Sequence, residues 1–172
     1  GALVAAGGTV DIRSRTVGIG LGDGLPGELA VPQATIDAIT TGTLALTATG
    51  AAITLRDTLD TTAKVATLLL AADTGIALTK GTLSAVAIEA SAVAGGLTQA
   101  PEGLLTAAVL SSNPAGLTGP VSLANAGNSI SQLGLITASG TVAVTSATAM
   151  EAIGAIKAPG IALVGGAAAG TA

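Results

Sequence analysis

The stretch GPVSLANAGNSISQLGLITASGTVAVTS, residues 119–146, contains one short phrase twice. A Gly-Pro or Gly-Thr pair precedes an aliphatic–small–aliphatic triplet, VSL at 121–123 and VAV at 142–144. Successive side chains of a β-strand point to opposite faces, so the aliphatic residues of each triplet should point inward and the middle residue outward. The stretch therefore predicts two equivalent short strands, one repeat apart.

Copies of this phrase recur along the whole chain at nearly constant spacing. The first aliphatic residues of successive copies are 21, 22, 23, 21, 24, 21 and 19 residues apart. These residues are Val10, Val31, Ile53, Ile76, Leu97, Val121, Val142 and Ile161. A second series of aliphatic residues lies between them, formed by Leu44, Leu68, Val86, Val109, Ile130 and Ile153.

A repeat of this kind has one apolar face, which it cannot bury alone. Stacking the repeats buries a continuous thin core and pairs each strand with its equivalents in the neighbouring coils. The spacing therefore predicts an all-β fold, a single-stranded parallel β-helix (β-solenoid) of about eight coils of roughly 21 residues. We expect residues 1–172 to form one solenoid rod segment, excised or processed from a longer protein.

The composition favours the same architecture. About half of the residues are apolar (49%), yet the chain has no Phe, Tyr, Trp or Cys. Aromatic side chains supply much of the buried area of an ordinary core. A core of Ala, Val, Leu and Ile alone must be narrow and uniform, as in a solenoid.

Three segments are expected to depart from the regular coil. The glycine-rich stretch 18–27 and the stretch 57–63 are both predicted to be loops. Residues 33–40 (QATIDAIT) fit either a short helical turn or part of a strand wall. No amphipathic capping helix is evident near either terminus, so both ends of the rod are expected to be uncapped and to expose unpaired strand edges.

Charge is sparse and unevenly distributed. The chain has six basic and ten acidic residues, and no charged residue lies between 103 and 150. No basic stripe is available to neutralise phosphates, which argues against a nucleic-acid partner. Turn residues interrupt every apolar run before about 20 residues, so no membrane insertion is expected. The uncharged faces of residues 103–150 and the terminal coils are instead predicted to mediate self-association.

The repeats resemble a known family. The phrases LAVPQATIDAITTGTLALTA (residues 29–48), GGLTQAPEGLLTAAVLSS (residues 95–112) and the stretch 119–146 are similar to the repeats of filamentous haemagglutinin-like, two-partner-secreted exoproteins and related autotransporter passengers. The resemblance implies a right-handed parallel β-helix that is secreted or displayed on the bacterial surface, often for adhesion. The secretion domain that opens such proteins, with its Asn-Pro motifs, is not recognised, so the chain resembles an interior rod segment.

No catalytic, cofactor or metal site is predicted. The chain has no His or Cys, and no motif links a Ser to an activating base. Asp57 and Asp60 form a close acidic pair, but a solvated loop explains them better than acid–base chemistry. Asp23 lies in a Gly–Asp turn that occurs once, whereas calcium-binding turns repeat on successive coils.

Two other features have weak functional interpretations. The Thr47-Ala-Thr49 triplet is one rung of the kind of threonine array that orders ice, but such an array needs the same triplet on most coils. Asn125 and Asn128 suit turns, because Asn tolerates left-handed backbone conformations. A loop that recognises a glycan is the alternative for these two residues.

These observations predict a structural or adhesive shaft segment of a secreted or cell-surface bacterial protein, which is not an enzyme. We expect it to assemble end to end into an extracellular filament, or to serve as the monomeric shaft of an adhesin. Its partner would then be a receptor or glycan on a host or neighbouring cell. The alternatives are a carbohydrate-binding or carbohydrate-cleaving β-helix and an ice-binding solenoid.

Overall fold

The computed structural model describes residues 3–166. It is nearly all β, with sixteen strands and one short helix. The first strands are β1 (Leu3–Ser14), β2 (Ile19–Leu21), β3 (Leu29–Val31), β4 (Ile39–Ala48), β5 (Ala52–Leu55), β6 (Leu59–Asp60), β7 (Val65–Ala72) and β8 (Gly75–Ala92). The others are β9 (Leu97–Leu117), β10 (Val121–Leu123), β11 (Ser129–Leu133), β12 (Ile136–Thr137), β13 (Val142–Ser146), β14 (Glu151–Ala152), β15 (Ile156–Lys157) and β16 (Ile161–Gly165). The helix α1 (Gln33–Asp37) lies between β3 and β4.

Every strand pair is parallel, and the pairs form long columns in register. The column that we call column 1 runs through Ile19, Ile53, Ile76, Leu97, Val121, Val142 and Ile161. Column 2 runs through Val10, Leu44, Leu68, Ile88, Leu110, Leu133 and Ala152. A shorter column 3 joins Leu59, Leu83 and Leu105. The chain is therefore a parallel β-solenoid, as predicted.

The solenoid has about six turns, fewer than the predicted eight. Six of the predicted markers, from Ile53 to Ile161, do form column 1. Val10 instead pairs with Leu44 in column 2, and Val31 pairs with Leu21 on β2. More residues separate Ile19 from Ile53 in the sequence than separate any other neighbours in column 1, because β3 and α1 are inserted between them.

The second predicted series is only partly correct. Leu44 and Leu68 are neighbours in column 2, but the next member is Ile88 rather than Val86. Val86 is exposed between two buried residues, Ala85 and Ile88, because the chain turns a corner there. The other three residues also lie outside column 2. Val109 pairs with Ala87, Ile130 is buried but pairs with Ala107, and Ile153 is exposed next to Ala152.

The core is a continuous stack of aliphatic side chains. Within strands the alternation is as predicted: residues 121 and 123 are buried and 122 is half-buried, and residues 142–144 repeat the pattern. Stacked positions are about 4.7–4.9 Å apart in a β-ladder. The six steps of column 1 therefore span about 29 Å.

The N-terminal end of the solenoid is capped in part, contrary to expectation, although no strand among residues 3–166 pairs with the outer edge of β1. Strand β3 pairs with the outer edge of β2 and adds one more strand to column 1. Helix α1 follows Pro32 and contacts β4 and β6, and its Ile36 side chain is fully buried. The QATIDAIT segment thus adopts the helical alternative at 33–37, and β4 begins at Ile39. The capping helix lies between β3 and β4 in the sequence and not at a terminus, so inspection of the terminal residues alone does not predict it.

The two predicted loops contain regular structure. In stretch 18–27, Ile19–Leu21 form the fully buried strand β2, and only the residues after it form a loop. In stretch 57–63, Leu59 and Thr61 are fully buried, and Leu59–Asp60 form β6. Both segments lie in the columns because their few aliphatic residues fill core positions.

Candidate functional site

The C-terminal coil exposes the end of the apolar core. Ile161 and Leu163 continue the inward positions of Val142 and Val144 on column 1. Ile161 and Leu163 are 52% and 39% exposed, whereas Val142 and Val144 are at most 1% exposed. Among the described residues, no strand pairs with the outer edge of β16. Ile153 and Val164 are also exposed apolar residues of this coil.

Asp57 and Asp60, the close acidic pair of the sequence, each accept hydrogen bonds from nearby residues. Asp57 Oδ1 accepts from the Thr58 N–H at 2.8 Å. Asp60 Oδ1 accepts from the Thr62 N–H at 2.9 Å and from the Thr62 hydroxyl at 2.7 Å. The Thr62 hydrogen bonds lower the pKa of Asp60, because they favour its charged form. This geometry shapes the turn after β6 and favours the solvated-loop interpretation of the pair.

A salt bridge between Glu28 and Arg56, which we call the clamp, joins the end of the glycine-rich loop to the residue after β5. Arg56 Nε donates to Glu28 Oε2 at 2.7 Å, and the Arg56 NH2 group lies 2.5 Å from Glu28 Oε1. Glu28 Oε2 also accepts from the Leu25 N–H. The hydrogen bond from Arg56 is the largest cause of the lowered pKa of Glu28. Asp23 lies in the same loop, and its carboxylate accepts from the Gly24 N–H at 2.8 Å.

Asn128 is fully buried and joins three neighbouring coils. Its Oδ1 accepts from the Leu105 N–H and from Gln99 Nε2, at 2.9 and 2.6 Å. Its Nδ2 donates to Gln99 Oε1 and to the Thr145 carbonyl, at 3.0 and 3.2 Å. Sequence reasoning placed Asn128 in a turn, but a single sequence contains no signal for a buried amide that spans coils.

Asn125 belongs to the same polar cluster. Its Nδ2 donates to the Pro101 and Gly103 carbonyls at 2.7 and 3.2 Å, and its Oδ1 accepts from the Gly127 N–H. A groove of about 340 Å³ lies over Gln99, Pro101 and Asn125. The side-chain amides of Gln99 and Asn125 already hydrogen-bond within the protein. Their role at this groove is therefore structural.

The threonines of residues 3–166 do not form one array that runs the length of the solenoid. Thr47 lies between Arg13 and Ala71 in the ladder. Thr9, Thr43 and Thr67 do stack in register, but Ala87 follows them. The stacked threonines therefore extend over three coils of column 2.

No helix within residues 3–166 is long and apolar enough to cross a membrane. No three acidic, His or Cys side chains lie close enough together there to hold a metal ion.

Comparison of the chain with family models, with curated proteins and with solved structures finds no match.

Proposed function

We propose that the chain is a stiff shaft segment of a secreted or surface-displayed bacterial protein. One observation supports this most directly: the described residues form unbroken parallel columns around a uniform aliphatic core. In such a stack each coil contacts only its neighbours, so length is added without changing the cross-section. The resemblance to filamentous haemagglutinin-like repeats supports the same function and an extracellular location.

Stiffness can be measured along column 1. Ala30 and Ala162 are both exposed and lie at opposite ends of the outward-facing positions of this column. Seven ladder steps separate them, which corresponds to about 34 Å. Because the chain has no Cys, A30C and A162C introduce two unique spin-label sites.

A shaft should give a narrow distribution of spin–spin distances centred near about 34 Å in a double electron–electron resonance experiment. A broad distribution, or a much shorter mean, would overturn the shaft. The location is tested separately in a bacterium that encodes the chain. Antibodies against the purified chain should label intact cells or the medium, and labelling only after permeabilisation would overturn the extracellular proposal.

The proposal includes self-association through a terminal coil. The exposed apolar residues of the last coil support it, because a further coil would bury them as the inner coils are buried. A purified chain that stays monomeric at high concentration in sedimentation experiments would overturn this part. The shaft itself would still be tested by the distance measurement.

A further inference from the structure

Met150 is the one readily oxidised side chain of the whole chain. The sequence has a single Met and no Cys, His, Trp or Tyr. Peroxides transfer an oxygen atom most readily to the sulfur atoms of Cys and Met. A peroxide that reaches this protein therefore has a single preferred target, whichever part of the solenoid it meets first.

Met150 lies where a peroxide can reach it. The residue is half-buried and lines a solvent-filled groove of about 410 Å³ on the surface of the solenoid. Its neighbours along the groove are Ala108, Ser131, Gln132, Ala149 and Glu151. Hydrogen peroxide is only slightly larger than water, whose share of the liquid is about 30 Å³. The groove therefore admits it without any unfolding of the coil.

Met150 also holds the last coil (residues 147–166) to the rest of the solenoid. Its side chain packs against the aliphatic core. The next residue, Glu151, begins β14, which pairs with β11 through Gln132. A Cβ atom at Gly165 of β16 would lie 3.5 Å from the Met150 Cβ, so the backbone of β16 runs close against Met150. Met150 therefore adjoins two of the three strands of the last coil.

We propose that Met150 is a reversible oxidation site that controls the packing of the last coil. The O–O bond of hydrogen peroxide breaks as one oxygen atom is transferred to the Met150 sulfur. The thioether loses two electrons and becomes a sulfoxide, and the peroxide is reduced to water. A sulfoxide is polar, and its burial against an aliphatic core is costly. Oxidation therefore loosens the last coil, and methionine sulfoxide reductases reverse the change.

The test combines mass spectrometry with hydrogen exchange on the full chain. Wild type treated with hydrogen peroxide should gain one oxygen atom, and peptide mapping should place it on Met150. The amides of residues 147–166 should then exchange at least about tenfold faster, because the last coil opens more often. The amides of β9, in the middle of the solenoid, should keep their rates. Methionine sulfoxide reductases should restore both the mass and the slow exchange.

Two variants separate oxidation at Met150 from other effects of peroxide. M150L keeps nearly the same side-chain volume without the sulfur, so it should neither gain oxygen nor exchange faster after treatment. The double variant M150L/V93M moves the single Met to residue 93, which is 68% exposed and lies between β8 and β9. It should gain one oxygen atom and keep the protection of the last coil.

Four outcomes would contradict the proposal. Wild type that gains no oxygen under conditions that oxidise M150L/V93M would show that peroxide does not reach Met150. Oxidised wild type with unchanged exchange would overturn the control of packing, as would peroxide-induced loosening of the last coil in either variant. Failure of the reductases to restore oxidised wild type would overturn the reversibility. None of these results bears on the proposed shaft.

Discussion

The Gln33 side chain pairs with the backbone of Asp60 as a neighbouring strand would. Its Nε2 donates to the Asp60 carbonyl at 2.9 Å, and its Oε1 accepts from the Asp60 N–H at 2.8 Å. The same Nε2 lies 2.9 Å from Asp37 Oδ1 within α1. One amide therefore satisfies both backbone groups of Asp60 and anchors the capping helix to the first coil of column 3.

Replacing Gln33 by Met should destabilise the cap. Q33M keeps much of the side-chain volume but removes both hydrogen bonds to Asp60, and we expect a loss of about 1 kcal/mol in the free energy of unfolding. Urea unfolding followed by far-UV circular dichroism measures it, since the chain has no aromatic residue for fluorescence. Q132M, at a half-buried position on β11, is the control. Equal effects of the two variants would contradict the role of Gln33.

The Glu28–Arg56 clamp should make stability depend on pH. The pKa of Glu28 is lowered by the hydrogen bond from Arg56, so the clamp contributes fully above the unfolded-state pKa of Glu28. Its contribution is lost as the pH falls through the lower folded-state pKa. The stability difference between wild type and E28Q should be about 1 kcal/mol at neutral pH, and it should shrink below about pH 4.

Thermal unfolding of wild type and E28Q at several pH values tests this dependence. E151Q is the matched control, because Glu151 is exposed on the last coil. A difference between wild type and E28Q that is constant with pH would show that the clamp does not depend on the charge of Glu28.

Asn128 should be the most sensitive polar residue of the chain. N128A removes the acceptor for the buried Leu105 N–H and leaves the Gln99 amide without two of its partners. Unsatisfied buried polar groups are costly, and we expect a loss of about 3 kcal/mol. N113A is the control, since the Asn113 Oδ1 accepts an exposed hydrogen bond from the Ala115 N–H. Its cost should stay below about 1 kcal/mol. A similar cost for both variants would refute the bridging role.

Two isoleucines of column 1 should differ strongly in their contribution to stability. Ile53 is fully buried and Ile161 is 52% exposed, although they occupy equivalent inward positions. I53A should cost about 2–5 kcal/mol, because it leaves a cavity inside the stack. I161A should cost less than about 1 kcal/mol in the monomer, since its side chain is already half solvated. The free energies of unfolding are measured by urea unfolding at low protein concentration. Equal losses for I53A and I161A would contradict the exposure of Ile161.

Much of the fold could be predicted because the solenoid repeats one local rule. Val121 and Leu123 alternate with Ser122 within a single strand, and nearest neighbours decide which side chains are buried. Six members of the marker series formed column 1 for the same reason. The corner at Val86 broke the rule, because a turn of the backbone changes the phase of the alternation without changing the composition. The number of coils was overestimated because a strand and a helix were inserted inside one turn.

The sequence by itself determined the parallel stack and its aliphatic core, since both follow from a period near 21 residues and the absence of aromatic side chains. Only the tertiary structure decided that β3 and α1 cover part of the N-terminal end and that Asn128 joins three coils. Gln33 hydrogen-bonds to Asp60, 27 positions away, and Asn128 hydrogen-bonds to Gln99 and Thr145, 29 and 17 positions away. Such contacts depend on which coils become neighbours in space, and a local pattern does not contain that information.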